Sequence, residues 1–311
     1  MSSGFGRTVH TWLRAMGLYR GFLVVSLIPV STGAAAAYAA VGEFRFGMFG
    51  LALLAAWCFH AGANLLNDYY DHVSGTDDIN TVRTPFSGGT RVIQEGLLPA
   101  GSLRTGGWIA YALGVPILLY LTTASGPFVL VLAAVGGLSG VMYTWRPVWL
   151  CYRGVGEILI GLNFGPVLAA FGAYTQAGHV PQSALVAGVA LGFFAAAIIT
   201  INEVPDLEAD RAVGKKNLVV RFGPKTGLAI WSAFLWGAVA VFLVGVYFGA
   251  LPPRTFIAAP IVLGIVALTR RRETRLENLD ALVAACRLTI LSMTGFWILL
   301  ATGFVLSAGV S

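Results

Sequence analysis

The sequence predicts an all-α, polytopic membrane protein. Its composition, its long apolar runs and the placement of its charges all point there. Of 311 residues, 57% are hydrophobic and only 11% charged, and the mean hydropathy is +0.78; soluble domains carry about 25% charged residues. Too little polar surface exists to coat a water-soluble globule, which excludes a disordered chain, a disulfide scaffold and a cytosolic enzyme together.

A spanning helix needs about 20 mostly apolar residues. Such runs lie near residues 19–41, 46–69, 104–123, 127–145, 154–176, 181–203, 226–249, 254–269 and 283–307, so nine transmembrane helices are expected. The first follows Arg14 and Arg20 and contains Pro29. Its Ala-rich body also suits a signal peptide, but small residues are what tightly packed membrane helices use, and the 39 glycines favour packing. The second and sixth runs end in polar clusters. The third and fourth, and the fifth and sixth, are joined by short, plain loops at 124–127 and 176–181, whereas the loops at 70–104 and 203–225 are long, as functional loops tend to be. The eighth run is the shortest. It is needed nonetheless, because without it Arg270, Arg271, Arg272 and Arg275 would fall on the wrong side.

With the N-terminus in the cytoplasm, every Lys and Arg but Arg45 and Arg254 lies on the cytoplasmic side. This bias explains the net charge of +6 without nucleic acid. The acids follow the same division, all but Glu43, although orientation does not require it. The cytoplasmic face therefore carries chemistry as well as topology. Cys58, Cys151 and Cys286 are odd in number, far apart and set in apolar runs, the pattern of buried thiols.

Two acidic stripes stand at matching helix ends. Asn64, Asp68 and Asp71 at i, i+4, i+7 share one helical face, as do Asn202, Asp206 and Asp210 at i, i+4, i+8. Both begin Asn-x-x-x-Asp, a weak internal repeat that suggests two related halves, about 19–145 and 154–269, with a ninth helix at 283–307. Clustered carboxylates at a membrane boundary need a cation, and hard oxygens with no His or Cys nearby indicate Mg²⁺. Pro205 disturbs the helix within the second stripe. Lys215 and Lys216 follow that stripe; Arg83 and Arg91 follow the first within a Gly-containing loop, an arrangement suited to a metal-bridged polyphosphate. Tyr69, Tyr70, Tyr143, Trp145 and Tyr152 near this face serve either as π faces for a carbocation or as an interfacial belt. His60, among apolar residues, reads as a packed core residue; His72, beside Asp71, is of somewhat greater interest, and His10 and His179 read as surface residues.

These residues resemble the UbiA-type superfamily of intramembrane prenyltransferases, whose two aspartate-rich motifs match Asn64-x-x-Asn67-Asp68-x-x-Asp71 and Asp206-x-x-x-Asp210. Within it the chain is most similar to the 1,4-dihydroxy-2-naphthoate polyprenyltransferases of menaquinone synthesis. The matching stretches are residues 64–71 with Gly75-Thr-Asp77, Tyr152-Arg153-Gly154-Val-Gly156-Glu157 with Phe164-Gly165-Pro166, and residues 202–218. The resemblance implies one domain over residues 1–311, nine helices around a central cavity open sideways to lipid and capped by the two long cytoplasmic loops, in a bacterial or archaeal plasma (inner) membrane. It implies that Asp68, Asp71, Asp206 and Asp210, assisted by Asn64 and Asn202, hold Mg²⁺ and diphosphate. Arg20 and Lys215 would bind diphosphate oxygens, and Arg153 or another nearby base would pair with an acceptor carboxylate; Arg83 and Tyr143, read from their positions, are further candidate substrate-binding residues. His72, Asn163 and Asn217 depart from the family pattern and bear on the acceptor more than on the donor. The expected substrates are a polyprenyl diphosphate and a small aromatic acceptor. The rivals are another acceptor, a terpene cyclase and, in a different class, a cation transporter.

Overall fold

The computed structural model describes residues 4–18, 22–82, 84–270 and 278–309. Arg20, Arg83, Arg271, Arg272 and Arg275, on which the sequence reading drew, lie outside them. A short amphipathic helix, α1 (Gly4–Ala15), precedes α2 (Phe22–Val41), α3 (Phe46–Ser74), the single turn α4 (Thr76–Ile79), α5 (Ala100–Ser125) and α6 (Phe128–Thr144). The second half runs α7 (Gly156–Leu162), a π-helical turn (Asn163–Val167), α8 (Leu168–Ala177), α9 (Gln182–Glu203), α10 (Leu207–Ala212), α11 (Leu218–Phe222), α12 (Pro224–Tyr247), α13 (Pro260–Arg270) and α14 (Leu279–Ser307). No strand occurs among the described residues.

Among the described residues, seven helices are long and apolar enough to cross a membrane: α2, α3, α5, the kinked α7–α8 unit, α9, α12 and α14. Shorter apolar helices at Phe128–Thr144 and Pro253–Thr269 stand where the fourth and eighth spans are expected. The latter opens as a 3₁₀ stretch, Pro253–Ala258, because the consecutive Pro252 and Pro253 lack the N–H groups of a regular helical start.

Lipid is as apolar as leucine, so these helices gain little from hydrophobic burial against one another and rely on close packing. The α2–α8 contact shows how. A methyl at Gly33 would collide with the Ala169 carbonyl, and one at Gly172 with the Val30 carbonyl, so the two backbones touch through reciprocal glycines. Bulky side chains fill the second half, where Phe194, Trp231, Phe242 and Phe304 are fully buried. A smaller cluster, Ala15, Leu65, Val92 and Leu103, seats α1 beneath the first long loop.

The C-terminal ends of α3 and α9 come together at one end of the bundle, covered by the two long loops with their short helices α4, α10 and α11. Asn80 Nδ2 donates to Asp206 Oδ1 at 2.8 Å, and the Thr76 and Tyr152 hydroxyls are 3.1 Å apart. Leu218 N–H donates to Glu157 Oε1 at 2.6 Å. These bonds tie both caps to each other and to the bundle.

Candidate active site

A chamber of about 340 Å³ opens between the helices under these caps. On α3 its wall is formed by Ala55, Ala56, Phe59, His60, Ala63, Asn64, Asn67, Asp68 and Asp71, the helical repeat of one continuous face. From Ala55 to Asp71 this face runs about 24 Å at 1.5 Å per residue. It is apolar at the near end and carboxylate-rich at the far end. The chamber thus has one compartment for hydrocarbon and one for charge.

The charged end holds both expected stripes. Asn64, Asp68, Asp71, Asn202, Asp206, Asp210, Lys215 and Tyr143 all line it. The first stripe lies on one unbroken helix, as its spacing requires. The second does not. α9 ends at Glu203, Pro205 sits in a turn, and Asp206 occupies the N-cap position of α10, so the i, i+4, i+8 face is replaced by a bend that still delivers all three residues to the chamber.

Each carboxylate is held in place. Asn67 Nδ2 donates to Asp71 Oδ2 at 2.5 Å, and Asp68 accepts from the Thr90 hydroxyl. Asp210, 2% exposed, accepts from Lys215 Nζ at 3.2 Å and from Asn217 Nδ2 at 2.7 Å. Lys215 is well placed because its own N–H caps the Asp210 carbonyl at 2.9 Å.

Residues without an assigned role in the sequence reading complete the ring. Gly75, at φ +86°, ends α3 in the left-handed conformation and turns the chain back, which brings Asp77 and Asn80 to the chamber. Neither continues the α3 face, so periodicity could not find them; Asp77 was traced by the matching Gly75-Thr-Asp77 stretch, and Asn80 only by the length and polarity of the 70–104 loop. Glu203, beside the second motif, also lines the chamber.

Other expectations fail on geometry. Arg153 is exposed outside the chamber, donating from Nε to the Val148 carbonyl at 2.6 Å, and cannot meet an acceptor there. Of the five aromatics only Tyr143 lines the chamber. Tyr69 lies under Arg104, 5.6 Å from ring centre to guanidinium, Trp145 is exposed, and Tyr152 stacks on Trp149 at 4.2 Å. Arg91 is turned to the Asp77 carbonyl. His60 lines the chamber, whereas His72 pairs with Asp78 at the exposed edge.

The charge balance is unfavourable without a cation. Burial pushes Asp77 up to about 8, with Asp71 and Asp68 adding to it. Burial likewise pushes Asp206 up to about 6 against the opposing bond from Asn80. Burial lowers the Lys215 ammonium, but Asp71 and Asp210 outweigh it and hold its pKa well above the ordinary lysine value. Among the described residues Lys215 is the only Lys or Arg lining the chamber, facing Asp68, Asp71, Asp77, Asp206 and Asp210. This hard-oxygen surplus fits Mg²⁺. No three acidic, His or Cys side chains among the described residues are grouped to hold an ion by themselves. That suits Mg²⁺ held by one or two carboxylates, water and substrate phosphate oxygens.

A pH dependence follows. Asp77 and Asp206 hold their protons more tightly folded than unfolded, so their contribution to stability is full below the ordinary value of 3.8 and is lost as pH rises through about 6 and about 8. The melting temperature of metal-free protein in detergent is expected to fall from about pH 5 to about pH 8.5, and Mg²⁺ with diphosphate to flatten that fall. A flat metal-free profile would contradict the uncompensated charge.

Comparison with known proteins gives the family. The UbiA prenyltransferase family matches residues 26–289. A 1,4-dihydroxy-2-naphthoate octaprenyltransferase from Mycobacterium tuberculosis is 31% identical over 215 residues, covering 68% of this chain and 71% of that protein. UbiA prenyltransferase domain-containing protein 1 of Xenopus tropicalis is 28% identical over 259 residues, 82% of this chain and 71% of that one. The structure of a UbiA homolog from Archaeoglobus fulgidus bound to DMAPP and Mg²⁺ superposes with a TM-score of 0.65 at 16% identity, covering 93% of this chain and 99% of that chain. A digeranylgeranylglyceryl phosphate synthase structure gives a TM-score of 0.68 at 15% identity, over 96% and 99% of the two chains, a likeness of fold. With a family match spanning most of the sequence and the paired acidic stripes meeting in one intramembrane chamber, the chain belongs to the UbiA prenyltransferase family and is an integral membrane prenyltransferase.

Proposed function

We propose that the protein transfers a polyprenyl group from an allylic diphosphate to 1,4-dihydroxy-2-naphthoate, a step of menaquinone synthesis. The observation that carries this reading is the two-compartment chamber: carboxylates and Lys215 at one end, hydrocarbon at the other, continuous along a single face of α3. A prenyl diphosphate has the same division. The relatives named as naphthoate prenyltransferases support the acceptor.

In this reading Asp68, Asp71, Asp206 and Asp210, with Asn64 and Asn202, hold Mg²⁺ and the diphosphate. When bound, Mg²⁺ neutralises charge on the leaving diphosphate. Lys215 donates to the remaining phosphate oxygens, joined by Arg20 and Arg83. The bond between prenyl C1 and the diphosphate oxygen breaks, and its electron pair leaves with the diphosphate. Tyr143 offers its ring face to the allylic cation. A π pair of the acceptor ring forms the new C–C bond, and the ring regains aromaticity by losing carbon dioxide or a proton. Preorganised stabilisation of the leaving group is the main catalytic contribution. The positive-inside bias supports a cytoplasmic N-terminus and a charged end of the chamber at the cytoplasmic face.

The test is purified protein in detergent with Mg²⁺, a panel of prenyl diphosphates and a panel of aromatic acids, with products analysed by mass. Prenylated, decarboxylated naphthol is expected, and EDTA should abolish it. Diphosphate release with a cyclic hydrocarbon and no prenylated acceptor would replace transfer by cyclisation. Full activity in EDTA would overturn the metal assignment.

A further inference from the structure

One helical turn deeper than Asn64, about 6 Å along α3, the apolar compartment is interrupted by polar groups from several helices. Ser26 of α2, fully buried, lies 2.6 Å from His60 Nδ1. Opposite, Asn163 in the π-helical turn donates from Nδ2 to Ser139 Oγ at 2.8 Å. The Ser139 proton is already given to the Gly136 carbonyl at 3.1 Å, so Ser139 must accept, and Asn163 Oδ1 is fixed as the atom left over. That oxygen is buried and has no partner, and a ligand reaches it by rotation of the Asn163 side chain toward the chamber. All four side chains line the chamber, and the Phe164 ring packs against His60 with centres 4.7 Å apart.

Burying an unpaired carbonyl oxygen at this depth is costly. A polyprenyl chain carries no donor to satisfy it, and the diphosphate binds at the other end. Resting on the transfer reading above, we infer that Ser26, His60, Ser139 and Asn163 form the acceptor subsite and recognise a neutral ring hydroxyl. The hydroxyl donates to Asn163 Oδ1. His60, whose Nδ1 is taken by Ser26, presents Nε2 to a second ring oxygen, and Phe164 borders the aromatic plane. No cation lines this belt among the described residues, so the acceptor's carboxylate points away from it, toward Lys215. The ring then lies one turn from the diphosphate, where prenyl C1 must be. The π-helical turn has a purpose in this arrangement: Asn163 opens the irregular stretch that ends at Val167, and such bulges are frequent at functional sites.

The experiment measures steady-state kinetics of wild type, Asn163→Leu, His60→Phe, His60→Gln and Ser26→Ala with Mg²⁺, geranyl diphosphate and 1,4-dihydroxy-2-naphthoate, varying each substrate in turn. Asn163→Leu and His60→Phe are expected to raise the acceptor KM about tenfold or more, because a site that hydrogen-bonds a hydroxyl loses discrimination without its partner. The donor KM should stay within about twofold. His60→Gln keeps a polar end and should recover part of the loss; Ser26→Ala, a shape-neutral change, should raise the acceptor KM about threefold. If Asn163→Leu or His60→Phe fails to fold, the Gln and Ala variants decide. An unchanged acceptor KM, or donor and acceptor KM rising together, overturns the subsite while leaving transfer intact. A wild type that binds geranyl diphosphate with Mg²⁺ but prenylates no hydroxylated ring overturns the transfer reading and the subsite with it.

Discussion

Asp206→Asn is expected to lower kcat/KM for prenyl transfer by about 10²–10³-fold without lowering thermal stability. The side chain keeps its size, and its oxygen can still accept from Asn80, which now donates at 2.8 Å. Only the charge is lost. Because burial pushes the Asp206 carboxyl up to about 6, the metal-free protein carries that charge at a cost near neutral pH, and the amide should leave its melting temperature equal or higher. The Mg²⁺ concentration for half-maximal rate should rise. Loss of activity with a matching loss of stability would indicate a structural cap, and retention of more than about a tenth of the rate would remove Asp206 from the metal assignment.

Lys215→Met should produce the opposite pairing, with activity and stability lost together. The Lys215 ammonium faces Asp71 and Asp210, and Asp210 Oδ1 loses its partner at 3.2 Å when the charge is removed. Breaking a buried pair from one side costs a few kcal/mol because the remaining charge is uncompensated. Transfer should fall by about 10²–10³-fold as the leaving diphosphate loses a cation. The double change Lys215→Met with Asp210→Asn separates the two effects: the neutral pair should recover most of the melting temperature and none of the rate. Recovery of the rate would remove both Lys215 and Asp210 from the diphosphate and metal assignment.

The membrane class, the helical fold and the first acidic stripe were legible in the sequence because each depends on local properties. Length and apolarity set a span, and a 3.6-residue repeat sets a face, so Asn64, Asp68 and Asp71 follow from position alone. The second stripe was read correctly as a set of residues and wrongly as one helical face, since Pro205 lets Asp206 open a new helix. Arg153 was expected to pair with an acceptor carboxylate because it lies in a stretch that matches the family, yet it faces outward and bonds the Val148 carbonyl.

Composition, apolar runs and paired Asn-x-x-x-Asp spacing by themselves determined a polytopic membrane protein with a carboxylate-rich end. Only the tertiary structure decided that Asp77 and Asn80 return to the chamber, that Lys215 faces Asp71 and Asp210, and that Asn163 Oδ1 is left unpaired beside His60. The physical reason is the range of the interactions. A helix repeats its face every few residues and writes that into the sequence, whereas hydrogen bonds such as Asn80 to Asp206, between positions 126 residues apart, exist only once turns at Gly75 and Pro205 have folded distant segments onto one another.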